Sequence, residues 1–217
     1  MKVVIFDFDG TLGDTLDVLL AIANHLAYEF NYPPLDRDTL QRFQQMDSRE
    51  VLRQSQISIF KIPFLMRRLK LEMSHHMESI QLFEGMEDAL RELHAHGHRL
   101  GILTSNSAEN VEAFLEAQQI RHLFDFVYSG KTIFGKHRVL KRIFRQHNID
   151  LSTAIYVGDE TRDIEAAKKV AIDTISVTWG FNTRPILERH QPTHVIDTPG
   201  ELVHILNHDS STCKTPS

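Results

Sequence analysis

Short apolar runs punctuate the chain at intervals. Val3-Val4-Ile5-Phe6 is the first, residues 100–103, 126–128, 154–157 and 174–177 repeat it, and His194-Val195-Ile196 is a weaker copy. Each is too short for a helix and apolar at consecutive positions, which predicts strands of a parallel sheet buried on both faces. Between them the spacing becomes helical. Asn106 and Glu109 form a capping-box pair ahead of a helix over 111–119, and residues 136–147 put Val139, Leu140, Ile143 and Phe144 on one face. Pro185 and Pro199 stand where first helical turns begin. Strands alternating with helices predict an α/β fold, a three-layer core around a parallel sheet. Residues 14–81 break the rhythm. Leu16, Leu19, Leu20, Ala23, Ala27 and Phe30 follow helical spacing up to the stop at Pro33-Pro34. Helices are also expected over 39–51 and 64–77, with no strand. The expected organisation is a core of residues 1–13 and 82–207, an inserted all-helical cap over 14–81, and a disordered polar tail over 208–217.

Composition narrows the function classes. With 217 residues the chain is long enough for one domain with a large insertion, and 41% hydrophobic with 24% charged residues is ordinary for a globular protein. A formal charge of -5 gives no positive field to draw the chain to nucleic acid or membrane. The single cysteine, Cys213, rules out a disulfide framework or a thiolate metal cage. No apolar run is long enough to span a bilayer, so a soluble, cytoplasmic protein is expected.

The first chemical signal is Asp7-Phe8-Asp9-Gly10-Thr11, directly after the first strand. Ligands of open α/β sheets bind outside the carboxyl ends of strands. Asp7 and Asp9 are two apart, so both carboxylates can project to one side there. One can then act as nucleophile while the other handles protons. Gly10 suits a sharp turn that brings backbone N–H groups toward an anion. Taken alone, the five residues also read as a plain Asp-rich turn.

Three further segments extend the pattern: Thr104 closing a strand, Gly135-Lys136 at a helix start, and Gly158-Asp159-Glu160-Thr161-Arg162-Asp163 after another strand. In this order the four segments resemble the motifs of the haloacid dehalogenase-like hydrolases, and Trp179-Gly180-Phe181 is similar to a loop of their phosphoglycolate phosphatase-like members. The resemblance covers the core and implies a Rossmann-like fold with a small helical cap. Two departures are visible. Ser105 separates Thr104 from Asn106, where many relatives have Asn directly, and His137-Arg138 follows Lys136 without the common Pro.

The resemblance implies a phosphatase that acts on a small-molecule phosphate ester through an aspartyl-phosphate, with phosphoglycolate as one candidate. Asp7 would be the nucleophile and Asp9 the acid and base. Thr104, Ser105 and Lys136 would bind phosphate. Mg2+ would be held by Asp7, the Asp9 backbone carbonyl and Asp159, with Asp163 behind them; hard oxygen donors shared with phosphate favour that ion. A monomer or homodimer, without nucleic-acid or membrane partners, is expected. Asp9 sets the chain apart from the family's dehalogenases and phosphonatases, which lack an Asp there. A phosphomutase remains the alternative within the family, and a non-catalytic phosphate-binding module the alternative outside it.

Two basic features carry less. His94, His96 and His98 flank Gly97 and read as a cationic helix end before a glycine stop, not as metal ligands. Arg67-Arg68 is the most basic part of the cap. Its plain reading is a solvated face; its sharper reading puts one arginine in the cleft against a substrate anion.

Overall fold

The computed structural model describes residues 1–130 and 135–208. Six parallel strands form one sheet in the order β3-β2-β1-β4-β5-β6: β1 (Val3–Phe6), β2 (Arg99–Thr104), β3 (Phe124–Ser129), β4 (Ala154–Gly158), β5 (Asp173–Val177) and β6 (His194–Ile196). β1 lies between β2 and β4, so the chain turns outward from it in both directions. That reversal of strand order is where open α/β sheets leave a crevice.

Side chains alternate across the strands, and each face buries its own set. Val4, Phe6, Ile155 and Val157 point to a core shared with α5 (Met86–Ala95), α6 (Ala108–Ala117) and α10 (Pro199–His208). Val3, Ile5, Ala154 and Tyr156 point the other way, onto α7 (Lys136–Gln146) and α8 (Thr161–Lys168). The apolar runs of the sequence are apolar throughout because both faces are covered. The fold is the expected three-layer α/β core with a helical insertion, and α9 (Arg184–Arg189) and α10 both carry proline in their first turn. α10 reaches His208, and the expected tail beyond it, residues 209–217, lies outside the described residues.

Residues 14–81 hold four helices: α1 (Leu16–Phe30), α2 (Arg37–Gln44), α3 (Ser48–Gln54) and α4 (Ile62–Ser74). The chain leaves and rejoins the core side by side, with Gly13 bridging Leu82 and the Asp14 N–H donating to the Gln81 carbonyl at 2.9 Å. Three local expectations are corrected. α1 ends before the prolines, because Asn31 takes a left-handed conformation (φ 56°) and its N–H closes on the Ala27 and Tyr28 carbonyls. The helix expected over 39–51 is two, because the Asp47 side chain accepts from the Arg49 and Glu50 N–H groups and starts a new one. Ser107, not Asn106, caps α6, by accepting from the Asn110 N–H at 3.0 Å.

The insertion is fastened over the carboxyl ends of the strands at two places. Near α2 and α3, Asn182 Nδ2 donates to the Gln44 and Met46 carbonyls, both at 3.0 Å, and the Ser48 N–H donates to Thr161 Oγ1 at 3.2 Å. Near α4, Asn110 Nδ2 donates to the Lys70 carbonyl at 2.9 Å.

Candidate active site

The four segments that carry the resemblance, with Asp7, Asp9, Thr104, Lys136, Asp159 and Asp163, gather at the carboxyl end of the sheet. Asp7 continues β1 and is buried; its N–H donates to the Val157 carbonyl at 2.8 Å, which fixes it beside β4. Gly10 follows with φ +74°, and a Cβ there would lie 2.3 Å from Asp159 Oδ2. Only glycine allows both the left-handed turn and that approach. Asp159, just past β4, accepts from Thr11 Oγ1 at 2.9 Å and from the Phe181 N–H at 2.8 Å. Gly180 closes the same cradle, since a Cβ on it would meet the Gly10 carbonyl oxygen at 2.3 Å. These contacts explain the glycine in Trp179-Gly180-Phe181, while Trp179 Nε1 donates to the Thr11 carbonyl at 3.1 Å and so ties this loop to β1's end.

Lys136, the first residue of α7, is buried and holds two carboxylates. Its Nζ donates to Asp7 and, at 2.7 Å, to Asp163 Oδ1. Asp163 also accepts from the Glu160 N–H at 3.2 Å, which makes it part of a capping box on α8. Asp159 precedes that helix and Asp163 lies in its first turn, and the turn of the chain between them brings their carboxylates together. Thr104 and Ser105 are both buried past β2. Thr104 Oγ1 accepts from the Asn106 N–H at 2.9 Å, and Ser105 Oγ lies 3.5 Å from Arg162.

Burial sets the electrostatics. Asp7 is pushed up to about 7, because loss of water outweighs the lowering by Lys136, and Asp163 adds to the rise. Asp159 is raised well above the usual carboxylate range by burial first and by Glu160, Asp7 and Asp163 after it. Asp9, partly open to the space above, is raised by burial against a hydrogen bond from Asn106 Nδ2 at 3.2 Å. For Lys136 burial alone would lower the value, but Asp163 and Asp7 outweigh it and keep the amine cationic.

Asp7, Asp159 and Asp163 offer carboxylate oxygens within 4.8 Å of one another. Three buried acids share one buried lysine and nearby Arg162, so the cluster has more negative charge than its partners neutralise. The donors are hard oxygens and the glycine cradle leaves no room for a larger side chain. The residues present fit a small, hard cation.

Two residues were not assigned to this site from the sequence, Asn106 having been read as a helix cap. Asn106 bonds Asp9 as above. Arg162 sits between Ser105 and Glu160 with its Nε lacking a partner among the described residues, and its guanidinium is held cationic by Glu160, Asp163 and Asp7 against the effect of burial. Both lie inside the quoted segments, one residue beyond Ser105 and one before Asp163, so proximity to the motifs was the signal. The cap arginines turn elsewhere. Arg68 pairs with Glu72 at 3.0 Å and with Glu29 at 3.6 Å, and Arg67 is exposed. Lys70, one turn on, is the cation of α4 that reaches the crevice; its Nζ lies 3.4 Å from the Gly130 carbonyl.

Above Asp9 and Gly10 the insertion lines a half-open cavity of about 350 Å³ that reaches from Asp159 up between its helices.

Fold and site together define an α/β protein whose strand ends gather buried acids around a lysine. Residues 4–177 match the haloacid dehalogenase-like hydrolases, and the chain belongs to that family. It is 39% identical over 203 residues to a phosphoglycolate phosphatase of Synechococcus elongatus, covering 94% of this chain and 96% of the relative. It is 24% identical over 211 residues to a pyrophosphatase PpaX of Bacillus mycoides, covering 95% of this chain and 97% of that one. Among solved structures, a haloacid dehalogenase-like family hydrolase of Streptococcus pneumoniae superposes with a TM-score of 0.77 at 24% identity, over 94% of this chain and 97% of the other. Among the described residues no helix is long and apolar enough to cross a membrane.

Proposed function

We propose that this phosphatase hydrolyses a small phosphate monoester through an aspartyl-phosphate on Asp7, with Mg2+ as its cofactor, in the cytoplasm. The observation that carries the reading is Asp7 held by Lys136 at the end of β1, with Asp9 two residues on and turned toward the cavity. In the first step an Asp7 oxygen attacks phosphorus and the P–O bond of the ester breaks. Asp9 delivers its proton to the departing alkoxide. In the second, Asp9 takes a proton from water as that water attacks the phosphoryl group. The bond to Asp7 breaks and inorganic phosphate leaves. Burial raises the pKa of Asp9, which favours its holding the proton that the first step needs. Lys136, Thr104 and Ser105 are the groups we assign to the phosphoryl oxygens. Asp7, the Asp9 backbone carbonyl and Asp159 would hold Mg2+, with Asp163 behind them, and the ion would supply the positive charge that lets a dianion approach buried acids.

On this reading residues 1–13 and 82–207 form the catalytic core and 14–81 its cap. The name of the Synechococcus relative makes phosphoglycolate the first ester to try. Phosphate release from a panel of esters should require Mg2+ and stop with a chelator, and Asp7→Asn should remove it while leaving the thermal transition near that of the parent. Release in excess chelator, or an active Asp7→Asn, would overturn the mechanism. Transfer of phosphate within one molecule, without release, would point to a mutase; tight phosphate binding without either, to a non-catalytic module.

A further inference from the structure

The cavity under the insertion has two unlike ends. Its floor is polar, formed by Asp9, Ser105, Asn106 and Arg162 at the strand ends. Its walls are apolar and come from all four inserted helices: Leu19 and Ala23 from α1, Phe43 from α2, Leu52 from α3, Ile62 and Leu69 from α4. Leu19, Leu52 and Leu69 keep part of their surface accessible, as side chains facing a void do. The volume of about 350 Å³ falls in the range of small-molecule pockets, roughly 300–1,000 Å³. An apolar void left empty destabilises its surroundings, and an apolar occupant offsets that.

Two cations line the cavity, both at its floor end: Lys70, and Arg162, whose Nε has no partner among the described residues. The arginines of α4 point away, Arg162 is engaged by Glu160 at the floor, and Lys70 is turned to the Gly130 carbonyl with its amine's pKa lowered by burial. A substrate whose non-phosphate part is a bare carboxylate would leave most of the cavity lined but unfilled.

We propose that the cavity binds the organic part of the substrate and that this part is apolar, an alkyl or aryl group several carbons long attached to the phosphate ester. The inference rests on the phosphatase reading for the position of the phosphate, and it adds the chemical class of what the phosphate is attached to. The phosphate sits on the polar floor and the apolar group extends between α1 and α4. Burial of each further methylene then strengthens binding by roughly fourfold until the cavity is full.

The test uses n-alkylphosphonates, which cannot be hydrolysed, titrated calorimetrically into the full chain with Mg2+ present. Kd is expected to fall by roughly fourfold per methylene from methyl to about hexyl and then level off. A Kd independent of chain length, or no binding of any member, would overturn the proposal. So would 3-phosphonopropionate, which carries a carboxylate, binding more tightly than butylphosphonate of similar size. Ala23→Leu places three further carbons in the cavity, and Val51→Phe fills it from α3 if the first variant does not fold. Either should abolish the gain beyond ethyl and leave methylphosphonate binding unchanged; a filled variant with the full gradient would show that the chain lies elsewhere. Phosphate release from the matching alkyl phosphates is measured separately. Chain-length-dependent binding without release would sustain the cavity's role and remove the hydrolytic one.

Discussion

Asn106 takes part in at least five hydrogen bonds, one of them through its carbonyl, which accepts from Ser129 Oγ. Its N–H donates to Thr104 Oγ1 and its Nδ2 to Asp9, while its Oδ1 accepts from the Ser107 N–H at 2.8 Å and from Asn110 Nδ2 at 3.0 Å. Asn110 in turn holds the Lys70 carbonyl of the insertion. One amide therefore orients the carboxylate we assign as acid and base, and is itself oriented by the segment that covers it. A hydrogen bond to a charged group contributes about 1.5–3 kcal/mol, so Asn106→Ala is expected to lower kcat by roughly 10- to 100-fold with a smaller effect on KM. Steady-state kinetics on any accepted ester checks this, and an unchanged kcat would make Asn106 a structural residue only. Sequence reasoning read it as the cap of the following helix, a place that Ser107 takes instead, and nothing in the order of residues says which side chain bends back toward Asp9.

At the scale of elements, Gly101 in β2 shows how closely the layers are fitted. A Cβ there would lie 2.1 Å from the ring of Phe126, its pairing partner on β3, and the register shifts between Leu100 and Gly101. The ring cannot yield easily, because His147 lies 4.6 Å from its centroid and Tyr128 5.7 Å. Gly101→Ala should destabilise the fold by about 1–3 kcal/mol, read as a lowered Tm without change in the metal requirement. The strands themselves were legible in the sequence because a sheet covered on both faces needs continuous apolar runs, and β1, β4 and β5 are found within a residue of where those runs lie. The helices of the insertion were legible as a class but not in their ends. Asn31 and Asp47 act through backbone geometry, one by a left-handed φ and one by side-chain capping, and apolar spacing carries neither. The acids were legible because they cluster at strand ends. The direction of the cap cations was not, since Arg68 is drawn to Glu29 on another helix.

On the scale of the whole molecule, the three histidines around Gly97 divide. His94 and His96 are exposed at the end of α5, but His98 is buried where the start of the chain, β2 and α10 meet. The Lys2 N–H donates to His98 Nδ1 at 3.3 Å, so Nδ1 is unprotonated, and Nε2 at 3.1 Å donates to Asn207 Oδ1. Burial lowers the pKa of His98 below its ordinary value, with the Asn207 contact acting the other way. The unfolded chain then binds the proton more readily than the folded one, so this contribution to stability is present above about pH 6.5 and is lost as pH falls below it. Tm should drop between pH 7 and pH 5.5, and His98→Gln should show a smaller drop; equal slopes would remove His98 from the account. The side-by-side crossing at Gly13 and Leu82 reaches further than any of these contacts. For the sheet, everything between those two residues is one closed loop, and doubling a flexible loop adds only about 0.6 kcal/mol to the entropy of closing it. Closure entropy therefore sets almost no limit on how long the roof over the site is; what fixes its extent is the set of bonds from Asn182, Ser48 and Asn110 that hold it down.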